Sequence, residues 1–190
     1  MKRRELLTNT VKTGACACAM MFLGGEGIAF ADDKKKEQEK KEKEDKNREF
    51  ISNWTETLML TMDGNLDEKT KTKIMEISGR KCAERTYKQF ATKFKGNIKG
   101  FLETVQKQWA EKTIFDEKKG VITVHGKKTK GCFCPLAAGK PTFKTGTFCL
   151  CSRGWMTEIF ETVTAKKVKV ELLSTILTGG DHCVFQITMV

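Results

Sequence analysis

The spacing of apolar residues changes character along this chain, and those changes restrict its fold more than any other feature. Phe50, Trp54, Leu58 and Met62 recur every four residues and stop at Asp63-Gly64, a helix exit. Asn65 with Glu68 fits a capping box for a second helix, with Leu66, Ile74 and Ile77 inward and Met75, Gly79, Cys82 and Thr86 on a neighbouring stripe. Gly79 costs a helix about 1 kcal/mol relative to Ala, so its position one turn before Cys82 predicts another backbone packed close by. Asn97 opens a third helix through Ile98, Phe101, Leu102, Val105 and Trp109. Beyond Glu111 the period becomes alternating, which predicts strands at 113–116, 120–125, 131–135 and 147–151. Trp155 to Thr164 returns to helical spacing, and Val168, Val170, Leu172, then Cys183, Phe185, Ile187 and Met189 alternate again. No internal repeat is visible. Helices, strands, a helix and strands in that order predict an α+β fold with N-terminal helices and a mostly antiparallel sheet with helices packed on one face.

The N-terminus reads as an export signal. Lys2, Arg3 and Arg4 precede Glu5, Leu6 and Leu7 in the twin-arginine pattern. Gly14 to Ile28 is weakly apolar, too short and too rich in Gly and Ala to span a bilayer, and Glu26 within it is costly to bury in lipid. Ala29-Phe30-Ala31 then forms a small-x-small cleavage site, so residues 1–31 are the expected signal peptide and no stable membrane span is expected after cleavage. From Asp32 to Glu49 there is no apolar residue, and eight Lys or Arg face eight Asp or Glu. Nothing in that run offsets the entropy of ordering, so 32–49 is a charged linker, disordered or a frayed helix, ahead of a single domain at 50–190.

The signal carries +2 of the chain's +11 and the linker none, which leaves +9 on residues 50–190. A nucleic-acid surface would interleave basic and aromatic residues on one face, yet the only Tyr is Tyr87 and the lysines are scattered through every segment. The expected partners are therefore anionic small molecules or anionic envelope surfaces, with the twin-arginine translocase during export.

With Cys16 and Cys18 in the signal, six cysteines remain, and five lie in the last third: Cys132, Cys134, Cys149, Cys151 and Cys183. On a strand, residues two apart share a face, so each C-x-C would present two sulfurs together. Two chemistries are open to such pairs, with simple buried free thiols as the third reading. Soft sulfur clusters select zinc, copper(I) or iron–sulfur centres, with Cys183 and Cys82 joining or supporting the site. Disulfides between the two pairs are the other, since the mature count is even and an exported compartment permits them. Folding in the reducing cytoplasm before twin-arginine export suits a cofactor loaded there. His125 and His182 read as surface or packing residues, and Glu171, alternating with Lys169 and Lys167, as a solvated carboxylate. There is no Walker loop, no G-x-S-x-G and no H-E-x-x-H.

From Cys151 onward the sequence resembles the C-terminal half of the 4-vinyl reductase type of small-ligand-binding domain. Cys151, Gly154-Trp155, Glu171, Gly180-Asp181 and Cys183-Val184-Phe185 follow that family's order of parts. The resemblance implies a zinc site built from cysteines and Glu171, as in phenol-sensing members. Here Ser174 stands near the family's further cysteine, and one extra residue separates Glu171 from Cys183. Gly79-Arg80-Lys81-Cys82-Ala83 with the export signal also resembles L-2-amino-thiazoline-4-carboxylate hydrolase-like proteins, which implies metal-assisted hydrolysis of a thiazoline ring. Together these readings predict an exported small-molecule-binding domain. Its metal or structural site comprises Cys132, Cys134, Cys149, Cys151, Glu171 and Cys183, for zinc or another thiophilic metal. A metal-assisted hydrolase and a disulfide-stapled binding protein without metal are the alternatives.

Overall fold

The computed structural model describes residues 25–129, 131, 132, 134, 137 and 145–190, with side chains from residue 36 onward. The twin-arginine motif, Cys16 and Cys18 lie outside the described residues. The chain divides into two units, Met1–Glu49 and Phe50–Val190. In the first, the charged run is helical, part of α1 (Gly25–Asn65), and its side chains are exposed from Lys36 to Glu49. No described helix is long and apolar enough to cross a membrane.

The second unit holds the end of α1, then α2 (Glu68–Thr86), α3 (Lys88–Thr92), α4 (Ile98–Gln108), β1 (Ala110–Asp116) and β2 (Val121–Gly126). These are followed by α5 (Thr147–Thr164), β3 (Val168–Ser174), a 3-10 turn at Ile176–Thr178 and β4 (Val184–Met189). The four strands form one sheet in the order β1-β2-β4-β3, with every neighbouring pair antiparallel. The fold is α+β, with helices ahead of an antiparallel sheet. Cross-strand partners Ile122 with Ile187 and Val124 with Phe185 place the buried alternation of β2 and β4 on one face. That face packs with Phe101 and Val105 of α4 and Met156, Ile159, Phe160 and Val163 of α5 in one core. Each large side chain fully removed from water there contributes roughly 1.5–3 kcal/mol. Asn97 caps α4 as its sequence suggests, its side chain accepting from the Gly100 N–H at 3.0 Å.

Four local expectations are corrected. Phe50, Trp54 and Leu58 are 70%, 59% and 38% exposed, because α1 turns Ser52, Thr55, Met59 and Met62 inward instead. The helical period was right, and the face was chosen by what anchors the helix end. Asp63 accepts from the hydroxyls of Thr145 and Thr147 and from Lys71 Nζ, fixing the rotation of its last turns. Because α1 continues through Asn65, the cap of α2 moves to Asp67, whose carboxylate accepts from the Thr70 N–H at 3.0 Å. In α2 the buried side is Lys71, Met75, Gly79 and Ala83, with Ile74 and Ile77 exposed. The third correction concerns residues 147–151, which form the first turns of α5 rather than a strand. Alternation over five residues fits either period. Read on to Val163, the buried positions 148, 149, 156, 159, 160 and 163 are helical. Of the strand candidate 131–135, the described residues Gly131, Cys132 and Cys134 lie outside any strand.

The close backbone expected at Gly79 is that of α5. A Cβ on Gly79 would meet the Cys151 carbonyl and come within 2.8 Å of Trp155 N, while one on Gly154 would meet the Glu76 carbonyl and come within 2.7 Å of Glu76 Cα. Each helix thus offers a glycine where the other's main chain passes, and a methyl group has no flexible neighbour to displace. Gly79→Ala should destabilise the fold by about 3 kcal/mol or more, at or beyond the upper end for overpacked cores. Gly64→Ala, where a Cβ meets nothing within 4 Å, is the control. Urea denaturation of both variants checks this, and equal midpoints would refute the close-crossing account.

Candidate functional site

The sulfur-bearing residues reach one region from four parts of the chain. Cys82 projects from α2, Cys132 and Cys134 sit in the connection after β2, Cys149 and Cys151 lie in the first turns of α5, and Cys183 immediately precedes β4. On a helix, residues two apart diverge by about 200° instead of sharing a face. Cys149 accordingly turns into the core at 7% exposure, while Cys151 lies at the α2 contact. The fold rather than the C-x-C spacing gathers the thiols.

Their electrostatics show the convergence. Burial pushes the Cys149 thiol up to about 11. A hydrogen bond with Thr175 pulls the other way, and negative charge on Cys183, Cys132 or Cys134 would push it further up. Burial likewise raises Cys151 to about 11, reinforced by Cys134 and Cys82. Cys132 is also raised by burial, opposed by the Cys134 N–H donating to its sulfur at 3.4 Å and reinforced by Cys134 and Cys183. Ionising any one of these thiols therefore opposes ionising the next. Cys82, Cys132, Cys149, Cys151 and Cys183 are not joined in disulfides. Among the described residues no three His, Cys, Asp or Glu side chains already form a metal cage.

Four of these thiols lie in or against a second apolar core, distinct from that under the sheet, against which Cys183 packs. Met59, Met62, Met75, Ala137, Phe148, Cys149 and Leu177 are its buried members, with Cys132, Cys134 and Cys151 packed against them. Met59 falls between the positions of the stripe read in the sequence, so its place became visible only with the rotation of α1. The Asp63 network holds this core together. Burial would raise the Asp63 carboxyl, but hydrogen bonds from Thr145, Thr147 and Lys71 outweigh it and hold it below its usual range. Lys71 Nζ lies 3.2 Å from Asp63 and 2.5 Å from Glu68, tying the end of α1 to the start of α2.

Glu171 sits elsewhere. It alternates with buried Val170 on β3, pairs with Lys169 Nζ at 2.8 Å, and faces Gln186 Nε2 at 3.5 Å across the ladder. The two histidines form a pair that sequence spacing did not reveal. His125 Nδ1 and His182 Nε2 are 3.2 Å apart, and His182 Nδ1 is buried with no hydrogen-bond partner among the described residues. A separate groove of about 530 Å³ is lined by Lys88, Thr92, Lys95, Glu161, Lys166 and Lys167. Its lining reaches the last turns of α5, roughly 18 Å along the helix from Cys149 at 1.5 Å per residue.

The raised thiols have measurable consequences. At pH 8 a thiol at about 11 holds about 100-fold less thiolate than one at the ordinary 9.0, so Cys149 and Cys151 should alkylate about that much more slowly in the folded protein than after unfolding. Peptide mass spectrometry after timed iodoacetamide treatment measures this, and equal rates would show that the thiols are not buried. The unfolded chain binds fewer protons between the ordinary 9.0 and about 11, so the stability held below pH 9 should fall as pH rises through that window.

No curated protein sequence matches the chain. Among solved structures it is similar to a trafficking protein particle complex subunit 3 from Naegleria fowleri covalently bound to palmitic acid, at 12% identity and a TM-score of 0.45 over 76% of this chain and 95% of that one. The phenol-responsive sensory domain of the transcription activator PoxR with phenol matches at 12% identity and a TM-score of 0.44 over 73% and 74% of the two chains. A vinyl-4-reductase family protein from Methanocaldococcus jannaschii matches at 14% identity and a TM-score of 0.35 over 74% and 80%. A family model matches residues 26–190, and by that match the chain belongs to the family described as "Family of unknown function (DUF6144)".

Proposed function

We propose that this protein is an exported small-molecule-binding domain that holds a thiophilic metal, zinc-like in its preference for thiolate sulfur, on its cysteine cluster. The observation that carries the reading is the delivery of Cys132, Cys134, Cys149, Cys151 and Cys183 from three parts of the chain to positions where charge on Cys132, Cys134 or Cys183 would raise the cost of ionising a neighbouring thiol. Thiols crowded in an apolar setting cannot all ionise alone. A cation among them supplies the charge that makes thiolates favourable, and soft metals prefer such donors. Cys132, Cys134, Cys149 and Cys183 would hold the metal, with Cys151 bordering it. Glu171 would first have to leave Lys169 to join them. In this reading the chain folds and loads its metal before passing through the twin-arginine translocase, and its small-molecule partner is an anion drawn to the basic surface.

The reduced apoprotein titrated with Zn²⁺ near pH 7.5 should take up one equivalent and release about one proton for every thiol that becomes a ligand. Its affinity should fall about 10-fold per pH unit for each proton released as the solution is acidified. Calorimetry in two buffers of different ionisation enthalpy counts those protons. Cys134→Ser should lose the metal while retaining its far-ultraviolet circular dichroism. Thiols that appear only after reduction, with no metal bound, would make the cysteines staples instead.

A further inference from the structure

The second core contains sulfur of two kinds. Three of its seven buried members among the described residues are methionines, Met59 and Met62 from the last turns of α1 and Met75 from α2, and a fourth is Cys149. Cys132, Cys134 and Cys151 pack against the same group. Seven sulfur-bearing residues from α1, α2, α5 and the connection after β2 therefore belong to or pack against one apolar cluster. Met59, Met62 and Met75 are 5%, 8% and 5% exposed, so their thioethers are withdrawn from water.

We propose that this mixed core of cysteine and methionine sulfur is a site for a monovalent soft cation, copper(I), coordinated by one or two of the cysteines with thioether donation from Met59, Met62 or Met75. The inference deepens the sulfur-site reading by naming the metal class, and it depends on that reading. A divalent ion in a tetrahedral cysteine site takes several thiolates, and each anion brought into an apolar core carries a desolvation cost. A thioether donates without shedding a proton or bringing charge. A monovalent ion with one thiolate is neutral and with two carries a single negative charge, so thioethers complete the coordination without further anions. Thiolate and thioether together are the donor set that suits copper(I), whereas methionine adds nothing a zinc site requires.

The probe is copper(I) itself, titrated anaerobically with ascorbate into the full chain against a bidentate copper(I) chelator, with Zn²⁺ titrated in parallel. One equivalent of copper(I) should bind and give sulfur-to-metal absorption in the near ultraviolet. Met75→Leu and Met59→Leu keep nearly the same apolar volume, a change cores tolerate. Each should weaken copper(I) by about 10-fold or more, the scale on which groups supporting a metal site act, while leaving Zn²⁺ binding unchanged. Denaturation midpoints close to the parent's establish that packing is intact, and X-ray absorption on the copper-loaded chain reads the sulfur shell directly if either variant unfolds. A chain that binds Zn²⁺ but not copper(I), or copper(I) binding indifferent to both substitutions with only cysteine sulfur in the absorption shell, overturns this inference and leaves the thiol site standing. A chain that binds neither metal overturns both.

Discussion

The close passage of α2 over α5 at Gly79 and Gly154 determines how the other parts meet. Two main chains in direct contact leave no freedom in their spacing, and the reciprocal glycines fix the relative height of the helices as well. Cys151 is thereby held against α2 with Cys82 one turn further along. The charged pairs around the crossing follow from it. Arg153 reaches Glu76 at 2.6 Å, Arg80 reaches Glu158 and Glu161 at 3.0 and 2.8 Å, and Lys88 reaches Glu158 at 2.7 Å. Each partly exposed pair contributes only about 0–1 kcal/mol, so these contacts refine an alignment that backbone packing has already set.

The two apolar cores differ in kind. Under the sheet, large aromatic and branched side chains dominate, with Phe101 meeting Phe160 edge to face at a centroid separation of 5.6 Å. Beside it, the described buried members of the second core are Phe148, Leu177 and otherwise methionine, cysteine and alanine, with Leu66, Leu150 and Leu172 packed against them. Methionine is unbranched and adapts to irregular space, which suits a region where a helix end, a connection and a helix start come together. The hydroxyls of Thr145 and Thr147 on Asp63 supply the directional restraint that methionine cannot.

Much of the fold was legible because long segments repeat their period. Helix α4 and strands β2, β3 and β4 each bury the alternation or stripe their residues announce, and Gly79 announced a close backbone because nothing else justified a glycine there. The faces of α1 and α2 were not legible. Phe50, Trp54 and Leu58 compose a stripe as regular as the one actually buried, and only the Asp63 network, which joins residues more than eighty positions apart, selects between them. The placement of the cysteines was partly legible. Composition singled them out, but the inference that C-x-C pairs share a strand face failed at Cys149 and Cys151, where a short alternating stretch opens a helix. Met59, Met62 and Met75 carried no signal separable from ordinary core, since their meaning depends on what sits across from them.

That failure changes what the site can be. Two strands, each presenting a sulfur pair, would build a flat patch of four equivalent thiols open to a partner above the sheet. A helix start instead turns Cys149 inward and leaves Cys151 at the α2 contact, so the thiols are unequal in depth and surroundings. A ligand entering between them must replace apolar contacts as well as protons. It would bind only the folded chain, because no other state brings α1, α2, α5 and the start of β4 together, and its binding free energy would add directly to the stability of the second core.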